Sequence, residues 1–239
     1  MDRAVLVGAS VSELCKSSLK RYGYRPITFP PYRRLSPPVE SHPDLFLFVR
    51  GDTLLTFRDY YESCAAPAFG QLLSLHPELD LLLTDELPKE TYPDDILMNA
   101  APVGAFLFGR LDKLSPALLA LARKEGAKPV HVAQGYARCS VAIVSENAII
   151  TADHSIMRAA EKRGIEVLLI RPGHIRLEGV DYGFIGGTGG TDEKNVYFCG
   201  DITAHPDFAA IDAFCKRQGK RPIPLSKEPL TDVGSLFFL

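Results

Sequence analysis

Apolar residues in this chain come in short runs broken by turn chemistry, and residues 134–170 show the rhythm most clearly. An apolar run at Val141–Val144 is followed by the polar triplet Ser145-Glu146-Asn147 and a second apolar run at Ala148–Ile150, which is a hairpin pattern. Asp153 then stands where it can cap a helix. Ile156, Met157, Ala159 and Ala160 recur at helical spacing, and Lys162-Arg163-Gly164 closes that helix with positive charge and a glycine. The run Ile165–Ile170 reads as a buried strand. The unit is therefore strand, strand, helix, strand.

The same unit recurs along the chain. The N-terminal part reads as a strand at Ala4–Val7, a helix over Ser12–Arg21 and a strand at Pro26–Phe29, so it lacks only a first strand. Residues 30–43 are proline-rich and polar, a connection without regular structure. Leu45–Val49 and Thr53–Phe57 form the next hairpin, Asp59 can cap the helical segment after it, and Asp80–Leu83 is its returning strand. Ile96–Asn99 and Gly104–Phe108 predict a third hairpin interrupted by Ala100-Ala101-Pro102, with a helix from Ser115-Pro116 and a strand at Pro129–Ala133. In the last unit, Tyr182–Ile185 and Val196–Cys199 flank the glycine-rich GGTGG at 186–190, followed by a helix over Pro206–Arg217 and a strand at Pro222–Leu225. Ser235–Leu239 is a final strand with no helix of its own. Helix stops recur every roughly 40–55 residues, a period that marks repeat architectures. The orphan C-terminal strand supplies what the first unit lacks, and pairing the two would leave no open edge. The pattern thus predicts one α/β domain of five ββαβ modules, at 1–29 plus 230–239, 42–84, 95–133, 134–170 and 180–226. Two open α/β halves remain the alternative.

With 239 residues and 46% hydrophobic content, the chain can bury a sizeable core. Its 27 basic and 29 acidic side chains leave a net charge of −2, which offers no general attraction to nucleic acid. No apolar run reaches the roughly 18 residues needed to span a bilayer. The five cysteines are scattered, with no CxxC pair, as expected for reduced thiols in a soluble cytoplasmic protein. No histidine pair has metal-site spacing, so neither metal nor cofactor is expected.

Five such modules around a pseudo-fivefold axis resemble the pentein fold, the α/β-propeller of the guanidino-group modifying enzymes and of the ribosome anti-association factor. Two motifs carry the likeness. Pro43-Asp44-Leu45-Phe46 is similar to the entry strand of the dimethylarginine hydrolases, and Tyr136-Ala137-Arg138-Cys139-Ser140-Val141 occupies the place of their histidine-bearing segment. The resemblance suggests a separate bacterial branch of that superfamily. It implies a nucleophilic cysteine on the last module, a histidine acid/base, and carboxylates that hold a planar cation. The last module reads Leu230-Thr231-Asp232-Val233-Gly234-Ser235-Leu236, with Ser235 near the nucleophile position, and Tyr136 stands at the histidine position. Both reacting groups are therefore missing where the family has them.

Three functional readings follow. The first is a pentein without the catalytic pair, binding a small polar ligand of amino or guanidino type in a central channel lined by Asp44, Asn99, Tyr136, Arg138, Asp232 and Ser235. In the second, Cys139 opens an inner strand beside Arg138 and serves a hydrolase or amidinotransferase as a displaced nucleophile. The third is a non-enzymatic interaction protein similar to the anti-association factor, for which the near-neutral charge gives no support.

Overall fold

The computed structural model describes residues 3–239. Its strands form five three-stranded sheets built to one plan: the first strand runs antiparallel to the second, and the second parallel to the third. Leu47–Arg50, Thr53–Phe57 and Asp80–Thr84 form one sheet; Ala101–Val103, Phe106–Gly109 and Lys128–His131 the next. Ala142–Ser145, Ala148–Thr151 and Glu166–Leu169 follow, then Gly189–Thr191, Asn195–Phe198 and Arg221–Pro224. The remaining sheet combines the chain's two ends. Phe237–Phe238 pairs antiparallel with Arg3–Gly8, in register Val5↔Phe238 and Leu6↔Phe237, and Arg3–Gly8 pairs in parallel with Tyr24–Phe29.

A helix bridges each parallel pair, and its limits follow from local chemistry. Ser12 accepts from the Cys15 amide, Ser115 from that of Leu118, and Asp153 from those of Ser155 and Ile156, so three helices begin on side-chain caps. Four helices stop at glycines with φ between +71° and +84°, namely Gly23, Gly126, Gly164 and Gly219. No helix among the described residues is long and apolar enough to cross a membrane.

Four expectations are corrected. Ile96–Asn99 is a turn, and the first strand of its sheet is Ala101–Val103, the stretch expected to interrupt it. Pro102 is tolerated because this is an edge strand, where no ladder hydrogen bond needs its amide. Tyr182–Ile185 forms no strand either; the first strand of its sheet begins in the glycine-rich run, at Gly189. A Cβ on Gly189 would lie 1.7 Å from the Tyr197 carbonyl oxygen, so glycine is what lets the two strands pair this closely. Asp59 does not cap the helical segment after Phe57 but accepts from Tyr32 and Arg34, and that segment contains a π-helical stretch, Tyr61–Ala65. Finally, Asp44 and Cys139 precede their strands rather than opening them. They sit in the helical turns Pro43–Phe46 and Ala137–Ser140.

Residues of all five first strands, Val49, Pro102, Ile143, Gly190 and Phe237, line one cavity of about 630 Å³. Asp52 and Glu146, exposed residues of its lining, lie at the hairpin ends, which puts its mouth there. The segments leading into these strands meet at the opposite end.

Candidate functional site

Those lead-in segments bring Asp44, Asn99, Arg138, Cys139, Asp232 and Ser235 together out of water. Asp44 is the hub. Its Oδ2 accepts from Ser235 Oγ at 2.6 Å, and the Cys139 Sγ lies 3.2 and 3.1 Å from its two oxygens. Asn99 ties three chain segments. Its Nδ2 donates to the Asp44 carbonyl at 3.1 Å and to Cys139 Sγ at 3.2 Å, while its Oδ1 accepts from the Arg138 amide at 2.7 Å. Asp232 accepts from the amides of Phe184 at 2.9 Å and Gly234 at 3.1 Å. His42 Nδ1 lies 3.7 Å from Asp232 Oδ1 and has no hydrogen-bond partner among the described residues. Ser235 has a φ of +69°, a conformation that a side chain adopts only at a cost, and its hydroxyl is held between Asp44 and the Gly186 carbonyl.

Glycines close the space around these groups. A Cβ on Gly187 would come within 1.9 Å of Asp232 Oδ1, and one on Gly234 within 2.3 Å of His42. The GGTGG run therefore serves close approach, at the place where two other modules carry Asp44 and Cys139.

Burial sets the charge states. It raises the Cys139 thiol well above its ordinary value, and the neighbouring Asp44 carboxylate raises it further. Cys139 is a neutral thiol that donates to Asp44. Burial also raises Asp44, with His42 opposing, and pushes Asp232 up to about 6. It lowers His42, which favours neutral imidazole, and lowers Arg138 against the pull of Asp44.

Of the seven residues proposed from sequence, six assemble here and Tyr136 does not. The Tyr136 hydroxyl donates to Asp95 at 2.5 Å, and its ring packs with Tyr92 and Phe184. Sequence reasoning missed the convergence of His42 with Asp44 and Cys139, whose candidate ligand atoms all lie within 4.8 Å of one another. A cysteine, an imidazole and a carboxylate are a zinc-type donor set, although the three come from segments too far apart for any spacing rule to register. To bind a metal, Cys139 would first have to lose the proton it shares with Asp44. Of the proposed residues, only Arg138 lines the 630 Å³ cavity.

A family model described as "Family of unknown function (DUF6873)" matches residues 6–237. No curated protein matches. Among solved structures, the chain is similar to a cysteine-to-serine variant of the DDAH of Pseudomonas aeruginosa complexed with citrulline, at 12% identity, TM-score 0.58, and 95% and 93% coverage of the two chains. It is also similar to an amidinotransferase of the saxitoxin biosynthetic pathway from Microseira wollei, at 12% identity, TM-score 0.55, and 96% and 94% coverage. A third is the inosamine-phosphate amidinotransferase of Streptomyces griseus, at 12% identity, TM-score 0.51, and 97% and 90% coverage. These are structures of the pentein fold, and the likeness is one of fold.

Proposed function

The chain belongs to the family of unknown function DUF6873, and from its pentein fold we propose that it is a five-module ring, closed by the C-terminal strand, that binds a small polar ligand of amino or guanidino type without the family's cysteine–histidine chemistry. The pairing of Phe237–Phe238 with Arg3–Gly8 supports the closure. The observation that carries the functional reading is the Cys139–Asp44 contact. A nucleophilic cysteine needs its thiolate and a path to substrate, whereas this thiol keeps its proton on Asp44 and is 2% exposed. Ser235, near the nucleophile position, donates to the same buried carboxylate and is itself fully buried, with no path to substrate. The ligand class rests on the fold analogy: the solved relatives include a citrulline complex and two amidinotransferases.

A second reading has its own support, since an imidazole nitrogen of His42 lies within 4.8 Å of the Cys139 sulfur. In that reading, movement of the lead-in segments would separate Cys139 from Asp44 and let His42 take the thiol proton. One experiment separates the two. The protein is titrated calorimetrically with arginine, agmatine and citrulline, and the same mixtures are assayed for ammonia and ureido products. Binding without turnover is expected. Turnover that disappears in Cys139→Ala would replace the first reading with the second, and absence of binding by all three compounds would remove the ligand class.

A further inference from the structure

The Arg138 guanidinium is a buried charge with few partners in the protein. The residue is 8% exposed, yet among the described residues its guanidinium donates a single hydrogen bond, from Nη1 to the Val141 carbonyl at 3.1 Å. One face stacks on the Phe237 ring, 5.4 Å from its centroid. A guanidinium carries five N–H donors and keeps its proton at any physiological pH, so the remaining donors need acceptors. Asp44 is the nearby carboxylate, but it forms no ion pair with Arg138 among the described residues and already accepts from Ser235 and Cys139. A buried charge without a counter-ion is costly. Arg138 is also a lining residue of the 630 Å³ cavity, which is large enough for a small molecule.

The lining has a polarity. Arg138, Ile185 and Gly186 belong to the cavity's inner end, next to the lead-in segments, whereas the mouth carries Arg50, Asp52, Glu125 and Glu146. Arg50 is engaged at the mouth, 3.4 Å from Glu125 and bonded to the Gly104 carbonyl at 3.2 Å. Asp52 and Glu146 are exposed and form no ion pair among the described residues. The inner end thus presents one cation short of an acceptor, and the rim presents two acids short of a cation. A simple anion would satisfy the first and be repelled by the second. A zwitterion satisfies both.

We propose that the cavity at the hairpin end of the five first strands is the ligand site, taking a small amino-acid-like zwitterion with its carboxylate on Arg138 and its cationic group toward Asp52 and Glu146. This inference rests on the small-polar-ligand reading and moves the ligand away from the Asp44–Cys139 cluster, to the other end of the strands. The carboxylate binds Arg138 by a charge-assisted pair in a site screened from water, and the rim acids favour cationic side chains over neutral ones by Coulomb attraction across an exposed mouth.

The test is calorimetric titration of the intact protein with L-arginine, agmatine and propionate. Agmatine is arginine without its carboxylate, and propionate is a carboxylate without a cation. Arginine is expected to bind at least about tenfold more tightly than agmatine, since the latter leaves Arg138 uncompensated. Arg138→Gln should abolish that preference, with its thermal unfolding temperature recorded to confirm a folded variant. The rim variant Glu146→Gln, at an exposed position, should weaken arginine by roughly two- to fivefold and, by removing a repelling charge, bind propionate slightly more tightly. Agmatine bound as tightly as arginine, with neither variant altering either affinity, overturns the cavity assignment while the small-polar-ligand reading stands. Failure of the wild-type protein to bind either arginine or agmatine overturns both.

Discussion

Alkylation of the five native thiols tests the sealed cluster directly. Cys64 is exposed and the other four cysteines are buried. A buried thiol reacts with iodoacetamide only when the structure opens around it, so its rate is the exposed-thiol rate multiplied by the open fraction. Cys139 is gripped by Asp44 and Asn99, which belong to two other modules, so exposing it means separating three lead-in segments. That opening should cost nearly the full unfolding free energy, about 5–15 kcal/mol for a domain. With a factor of ten for every 1.4 kcal/mol, Cys139 should react at least about 1,000-fold more slowly than Cys64. The assay is mass-spectrometric reading of each cysteine peptide during alkylation at pH 7.5, with urea-unfolded protein as the reference. Reaction of Cys139 within about tenfold of Cys64 would show an accessible thiolate, and the argument that the site is catalytically idle would fail.

Two further measurements probe the same region. In Gly187→Ala the new methyl would displace the Asp232 carboxylate and break its bonds from Phe184 and Gly234, costing about 2–5 kcal/mol. Gly70→Ala, within Ala66–Leu75 where a Cβ meets nothing within 4 Å, should stabilise by about 0.5–1 kcal/mol. Urea denaturation of both variants checks the pair, and a Gly187→Ala protein as stable as wild type would contradict the close approach. The second measurement concerns pH. Asp232 has a pKa of about 6 when folded against an ordinary 3.8, so the folded state holds the proton more tightly. Its stabilising contribution is complete below pH 4 and is lost as pH rises from about 4 to 6, by about 3 kcal/mol in all. The difference in unfolding free energy between wild type and Asp232→Asn should shrink by that amount over the window, and a difference independent of pH would refute the assignment.

The modular plan was legible because each module advertises its helix. Caps such as Ser115 and Asp153 and stops such as Gly126 and Gly164 are local signals, and the hairpins between them carry polar turns. The lead-in segments were less legible. Leu45–Val49 is one apolar run on paper, yet Pro43–Phe46 is a helical turn and the strand starts at Leu47. Burial on all sides erases the periodicity that would separate the two. Gly189–Thr191 failed as a prediction for another reason: glycine is a poor strand former, and the strand exists because the Tyr197 carbonyl approaches too closely for a side chain. Asp44, Cys139 and Ser235 were found by position, since all three were read as opening a first strand that in fact starts just after them, but their mutual contacts were not. Tyr136, two residues before Arg138, is bonded instead to the buried Asp95, a difference that no residue pattern encodes.

The charges at the centre explain why these groups form a cluster at all. Asp44 and Asp232 are two carboxylates buried close enough that Asp232 raises Asp44's pKa, and such a pair is unstable unless protons or cations offset it. Four offsets are present. His42 lowers the Asp44 pKa, Ser235 and Cys139 bring hydroxyl and thiol protons to Asp44, two backbone amides serve Asp232, and the Arg138 guanidinium lowers the Asp44 pKa from a distance. In a pentein whose centre holds a planar cation, the carboxylates would find their counter-charge in that ligand. Here the chain carries its own guanidinium, and that guanidinium faces the cavity. Cluster and cavity therefore share one charge. An anion beside Arg138 would weaken its field at Asp44, tighten the proton held between Asp44 and Cys139, and leave the thiol still less ionised, so that occupying the cavity and activating Cys139 oppose one another.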